Sequence, residues 1–315
     1  MAWDVQVLGA GWAGLSVAAH LRARGVAVRV VDPRGALGGA SGAATGIALP
    51  CLREHPHRTA ASLGDAATAE LFAFAREGCA TPPGFRRTGV RWRAVGPEAE
   101  QVADALAAAG RLALPAVRTE EGYLLGDGGM VDLTALHAAI ATEVHTTPES
   151  AEVTIHATGW EVDGWLADKI LPVRWQGQHH EGPALDVPVI SQHATVSWSG
   201  ALDAVGARWA TPHMEVGETE PTPSEKVTAM LDRLTRETFP EAGPRTRTWA
   251  GIVADPCDGL PLIGPLPGRP REIALLGFGA SGLPWTWRAA ELVAAALLGM
   301  PAAEVPRPLR VSRFR

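Results

Sequence analysis

The sequence predicts an α/β protein in which a parallel-sheet, nucleotide-type unit is assembled from both ends of the chain and interleaved with a second unit built on a mixed or antiparallel sheet. Three observations predict it. Near the start, an apolar run over 5–8 ends at a glycine, a helical pattern follows over 15–24 and stops at Gly25, and the β-branched run 26–31 comes next. In the last third the order returns as a strand over 273–276, a glycine-rich turn and a helix over 287–298. Between these ends, residues 84–129 and roughly 170–250 carry alternating segments, such as 195–197 and 205–209, among many turn residues. That alternation predicts antiparallel strands.

Taken in order, the remaining elements fit this scheme. Ala-rich amphipathic stretches at 66–77, 98–109 and 133–144 predict helices, and 153–156 predicts a buried strand that ends in Ala157-Thr158-Gly159. The division expected is discontinuous. Residues 1–80, 130–168 and 250–315 form the cofactor domain, and 81–129 and 169–249 form the substrate domain.

Composition narrows the function. A chain of 315 residues that is 46% apolar can bury one large core or two interleaved ones. Its formal charge of −6 lacks the basic excess that draws proteins onto nucleic acid phosphates. Cys51, Cys79 and Cys257 are far apart, odd in number and free of Cys/His ligand spacing, which argues against a disulfide framework and a structural metal. The first residues lack the pattern of a signal peptide, and no window reaches the ~18 apolar residues of a membrane span. The expectation is a cytoplasmic protein with no membrane partner.

The chemistry-bearing motif is Gly9-Ala10-Gly11-Trp12-Ala13-Gly14, which ends the first strand and opens the first helix. In that context its glycines permit a tight turn, a close backbone approach to a pyrophosphate, and close contact of helix with strand. The helix N-terminus offers unpaired N–H groups and a positive dipole end to phosphate. Asp32 closes the second strand, where its carboxylate can accept from ribose hydroxyls, and Pro33 and Arg34 follow it. The motif alone does not separate FAD from NAD. Two loops favour FAD: 38–42, which carries Ala40 and Ser41 and can lie along a pyrophosphate and ribityl chain, and 277–283, whose N–H groups can face the flavin pyrimidine.

These residues resemble FAD-dependent oxidoreductases of the D-amino-acid-oxidase and glycine-oxidase superfamily, a likeness that runs through GAGWAGLSVAAHLRARG, GGASGAATGIALP, DGGMVDLTAL, IHATGW, LPVRWQGQ, VGARW, WAGIVADPCDGLPLIGPLP and GFGASGL. Within that superfamily the sequence is similar to the FAD oxidoreductase half of the bifunctional enzymes that make 5-methylaminomethyl-2-thiouridine in tRNA. The resemblance implies a Rossmann-like FAD-binding domain of the glutathione-reductase-like, D-amino-acid-oxidase type, and oxidation of a C–N bond of a small amine or amino acid by hydride transfer to flavin N5, with O2 as acceptor. It implies flavin contacts at Gly9, Gly11, Trp12, Ala13, Gly14, Asp32, Pro33, Arg34, Ala40, Ser41, Gly46, Ile47, Thr158, Gly159, Val253, Gly279, Ala280, Ser281, Gly282 and Leu283, and it places Asp258 and Gly259 in a loop beside the isoalloxazine.

Departures from the family pattern bear on function. Amino-acid-oxidising members carry a carboxylate-gripping arginine where Val253 stands, and valine cannot make that charge-assisted contact. Arg208 is the candidate replacement, its competing reading a solvated strand-edge arginine. His213, five residues on, and Trp285, after the glycine-rich turn, complete the catalytic candidates; the competing reading of Trp285 is core packing. Covalently flavinylated relatives carry a cysteine at the position of Gly251, so non-covalent FAD is expected. No protein acid or base is required for hydride transfer, and no triad or carboxylate pair is found. Two alternatives stay open: a tRNA wobble-uridine-modifying oxidoreductase, with Arg86, Arg87, Arg91 and Arg93 as a local basic patch, and a flavin-binding subunit without turnover.

Overall fold

In the computed structural model, residues 3–50, 63–93, 116–120, 122–183, 185–191, 196–198, 204–207, 216–279, 282–301 and 304–314 are described. Two large sheets organise them. The first contains β1 (Trp3–Leu8), β2 (Val28–Val31), β9 (Val144–His145), β10 (Ala151–His156), β16 (Leu262–Leu266) and β17 (Arg269–Leu276), in the order β16-β17-β10-β1-β2-β9. Its strands run parallel except β16, which returns antiparallel along β17. A parallel sheet is covered on both faces, and all four residues of β2 are buried accordingly.

Helices α1 (Trp12–Arg22), α2 (Asp65–Ala80) and α5 (Gly282–Leu297) pack together beside this sheet, and α3 (Leu133–Ile140) leads into β9. The main core joins Leu15 and Leu21 of α1, Val7, Val30, Ile155 and Leu275 of the sheet, Phe74 of α2, and Ala289 and Val293 of α5. Burying these side chains is the dominant favourable term for the unit.

The second sheet contains β5 (Val90–Arg93), β6 (Ala116–Thr119), β7 (Gly122–Leu125), β11 (Ile170–His180), β12 (Val189–Ser191), β13 (Val196–Trp198), β14 (Ala204–Ala207) and β15 (Arg245–Pro256), in the order β15-β11-β14-β13-β12-β5-β7-β6. It is antiparallel but for the parallel pair of β12 and β5. A small antiparallel sheet of β3 (Ile47–Ala48), β4 (Phe85–Arg86) and β8 (Gly129–Val131) lies along the connections between the two units.

The fold is the expected α/β architecture, with local differences. Helix α1 starts at Trp12, earlier than the apolar spacing suggests, because the glycine turn itself opens the helix. Helix α3 stops at Ile140 rather than 144, since Val144 and His145 pair with Val30 and Val31 as the edge strand β9, and that pairing overrides a helical pattern. The stretch 170–250, where alternation predicts strands among turns, also contains α4 (Glu225–Thr238), which starts after Ser224 and buries Val227 and Leu231 one turn apart. β15 runs through residue 250, so the boundary expected there falls within a strand of the second sheet. The helix expected over 98–109 lies outside the described residues.

Candidate functional site

The carboxyl end of β1 meets those of β2 and β10, the edge of an open parallel sheet where a crevice for ligands forms. Gly9 sits there with φ of +101°, its N–H bonded to Val31 O at 2.7 Å. A Cβ on Gly9 would lie 2.2 Å from Ala157 O, and one on Gly14 would lie 1.9 Å from Gly9 O. Both obstacles are backbone, so neither position admits a side chain without moving a strand or the helix. The turn is thus cut to bring the first turn of α1 down onto the sheet edge.

Two side chains brace it. Asp32, 4% exposed, accepts from Ala10 N–H at 3.0 Å with Oδ2 and from Arg34 N–H at 2.9 Å with Oδ1. Ser41 Oγ accepts from Trp12 N–H at 3.0 Å, capping the helix start that Gly11 cannot cap itself. Arg34 extends from Asp32 to a 2.5 Å ion pair with Glu161. Trp12, with Ala13 beside it, packs its ring against His137 with centroids 5.0 Å apart.

The structure therefore gathers Gly9, Gly11, Gly14, Asp32, Arg34, Ser41 and Thr158 around one turn, Thr158 N lying 2.9 Å from the Cβ position of Gly9. Pro33 follows Asp32 directly, and Gly159, with φ of +72°, follows Thr158. Ala40 and Ser41 lie on a 3-10 turn, residues Ala40–Ala43, and Gly46 precedes β3, where Ile47 pairs with Met130. Gly279 ends the described part of the second glycine turn, Gly282 and Leu283 open α5, and Ala280 and Ser281 lie outside the described residues.

The second sheet reaches the same place through β15. A Cβ on Gly251 would stand 2.9 Å from Ala40 Cα and 3.4 Å from its Cβ, so this strand rests directly on the 3-10 turn of the cradle. Opposite residues of an antiparallel pair share a face. Gly251 and Val253 therefore look the same way as Trp175 and Val173. Val253 is buried. Arg174, on the other face, donates to the carbonyls of Glu220 and Thr222 and lies 3.8 Å from Glu218, so it does not stand in for an arginine at 253.

Of the catalytic candidates, Arg208 and His213 fall outside the described residues. Trp285 is buried in the main core, 5.8 Å from the Phe74 ring. In the basic patch, Arg93 donates to Thr238 O and pairs with Glu241, and Arg87 lies 3.9 Å from Asp127. The spacing of motifs gives no signal for Glu161 or for Ala157, whose roles arise from where β10 ends. Cys257 carries a free thiol whose pKa is raised by burial and then by Asp258. Among the described residues no helix is long and apolar enough to cross a membrane.

A glycine cradle at a parallel-sheet edge, braced by a buried acid and capped by the N-terminus of a helix, defines a dinucleotide-binding protein. The chain belongs to the family described as FAD dependent oxidoreductase, DAO, which matches residues 4–125 and 130–296. An 89-residue segment is 40% identical to the tRNA 5-methylaminomethyl-2-thiouridine biosynthesis bifunctional protein of Maricaulis maris (strain MCS10), and that segment is 28% of this chain and 14% of the relative's length. The fold is similar to that of glycine oxidase from Geobacillus kaustophilus, with TM-score 0.75 and 19% identity over 99% of this chain and 98% of the other. It is also similar to L-proline dehydrogenase from P. horikoshii, with TM-score 0.70 and 14% identity over 99% and 98%.

FAD fits the residues present. The tight packing at Gly9 and Gly14 lays the first turn of α1 on the sheet edge, where its N–H groups can meet a pyrophosphate, and the region around Arg34 and Asp32 suits a ribose.

Proposed function

We propose that this FAD-dependent oxidoreductase oxidises a C–N bond of a small amine or amino acid, with FAD held non-covalently and O2 as the acceptor that reoxidises it. The observation that carries the reading is the contact of β15 with the cradle at Gly251 and Ala40, which sets one face of the second sheet against the end of the turn that holds the dinucleotide. Glycine oxidase and L-proline dehydrogenase share this fold, and iminodiacetate oxidase from Chelativorans sp. BNC1 does so with TM-score 0.69 and 18% identity over 97% of this chain and 98% of the other.

In this reading Gly9 and Gly14 let the helix start sit tight on the sheet edge, the first turn of α1 supplies N–H groups and dipole to the pyrophosphate, and Asp32 with Arg34 holds the ribose end. FAD supplies a two-electron acceptor for the hydride equivalent that leaves the carbon bearing nitrogen. The protein binds the amine neutral, aligns its C–H and excludes water. Val253 and Val173 give the shared face an apolar pair where a carboxylate would need a cation. Substrates without a carboxylate at that point, or ones gripped by Arg208, are favoured. Residue 251 admits no cysteine without displacing Ala40, and the raised thiol of Cys257 disfavours the thiolate that attachment needs. The Cys257 thiol, outside any disulfide, suits a cytoplasmic setting.

The test is anaerobic addition of a panel of amines and amino acids to the FAD-loaded protein. Bleaching of the flavin absorbance by one compound names the substrate class; a flavin that none of them bleaches overturns the reading. The 40% identical segment supports a second reading, action on a modified wobble uridine. It calls for tight tRNA binding that weakens steeply with salt, and weak, salt-insensitive binding dismisses it.

A further inference from the structure

Two crossings of the chain join the sheets on one side of the molecule. Residues 157–169 lead from β10 to β11, and residues 257–261 lead from β15 to β16. Cys257 N–H donates to Lys169 O at 2.9 Å, tying the crossings to each other. Beneath them lies a separate apolar cluster of Leu166, Ile170, Ala254, Leu262, Leu276 and Val311.

The 3-10 turn Val311–Phe314 closes over both. Arg313 Nε and Nη2 donate to the two carboxylate oxygens of Asp258 at 2.7 and 3.0 Å. Nη2 also donates to Leu260 O at 2.7 Å, and Nη1 to Pro261 O at 2.9 Å and Arg310 O at 3.3 Å. A guanidinium has five N–H donors in a fixed fork, and here each has an acceptor. Phe314 completes the closure. Its ring lies 4.4 Å from the Arg313 guanidinium carbon, edge-on to Trp165, with Lys169 Nζ 5.6 Å away on the first crossing.

We propose that Arg313 is a positioning residue that pins the second crossing to the C-terminal turn, whose Phe314 meets Trp165 of the first crossing, and so fixes how the second sheet meets the cofactor cradle. The lever is short. At one end of β15 is the loop that Arg313 grips, and within the strand is Gly251, seated on Ala40. Pro256, where β15 ends, lies 2.6 Å from the Cβ position of Gly277, which opens the second glycine turn. A loop released at Asp258 would loosen both contacts, although Arg313 and Asp258 themselves touch none of Gly9, Gly11 and Gly14. The proposal rests on FAD as the cofactor and not on an amine as the substrate, so failure to bleach with amines leaves it standing.

The experiment compares the full FAD-loaded chain with Arg313→Lys, Arg313→Gln, Asp258→Asn and the double variant Asp258→Asn/Arg313→Gln. FAD dissociation constants are measured by flavin fluorescence, and the visible circular dichroism of bound flavin reports its surroundings. The fork is the active feature, so Lys, with three donors on a point charge, does not replace it. Arg313→Lys and Arg313→Gln are each expected to weaken FAD binding about tenfold, the scale of one charge-assisted hydrogen bond, and to alter the dichroism. The double variant is expected to bind no more weakly than Arg313→Gln alone, because the two groups act as one unit. If Arg313→Gln does not fold, Asp258→Asn carries the test. Dissociation constants within twofold of the parent with unchanged dichroism, or additive losses in the double variant, overturn the proposal.

Discussion

The cradle at the end of β1 and the antiparallel pair of β11 and β15 both rely on glycine for close approach, yet they differ in what fills the space. At the cradle, the obstacle to a side chain at Gly14 is the carbonyl of Gly9, within the same short motif. On the pair, the obstacle at Gly177 is the Trp249 ring, 2.1 Å from the Cβ position, and at Gly251 it is Ala40, far away in the chain. The first is a local device that spacing reveals. The second exists only because two distant segments are brought together, and it is the one that couples the substrate sheet to the cofactor.

The comparison can be broken most easily at the cradle. Gly14→Ala places a methyl 1.9 Å from a backbone oxygen. It is expected to cost about 3 kcal/mol or more and to abolish FAD binding. Denaturant unfolding and flavin absorbance check this, and a stable, yellow Gly14→Ala protein would show that the turn is not tight. Asp32→Ala comes next. It strands the Ala10 N–H, and the expected loss is about 2 kcal/mol with weakened FAD, read from the same two measurements.

On the other side of the comparison, Gly251→Cys should cost about 1–2 kcal/mol, since Ala40 sits on a short turn that can give a little. Its flavin should still leave the polypeptide on acid precipitation. Colour that stays with the pellet would mean that β15 and the 3-10 turn stand further apart than described.

The smallest effect lies in the helix layer behind the cradle. His20 on α1 packs at a tilt against Trp287 of α5, ring centroids 4.5 Å apart, with Arg24 and Glu291 also acting on it. Burial is the main cause that lowers its pKa below the ordinary 6.5. Below pH 6.5 the unfolded chain takes up a proton that the folded chain resists, so this contribution is present above that pH and is lost as pH falls. Urea midpoints measured against pH should decline on the acid side, and His20→Phe should flatten that decline; an identical slope in the variant would assign it to other groups.

Much of the fold was legible because its signals are local. The run 5–31 shows its strand, helix and strand through apolar period and a glycine stop, and Asp32 falls at the strand end where the motif requires an acid. Other features were not legible. Residues 141–144 read as helix by composition, but Val144 pairs with Val30 in the sheet edge. Helix α4 hides among turn residues because most of its surface is polar and only Val227, Leu231, Thr235 and Thr238 are buried.

The same division holds at the site. The amino-acid sequence by itself determined the dinucleotide turn, the acid that braces it and the family to which both point, since the glycine spacing, the apolar period and the acid at the strand end all lie within one continuous segment. Only the tertiary structure decided that Ser41 caps Trp12, that Gly251 rests on Ala40, that Arg174 turns away from Val253, and that Arg313 grips Asp258. Each of these depends on segments that are not neighbours in the chain, and no spacing records which partner a side chain will meet once the core has closed.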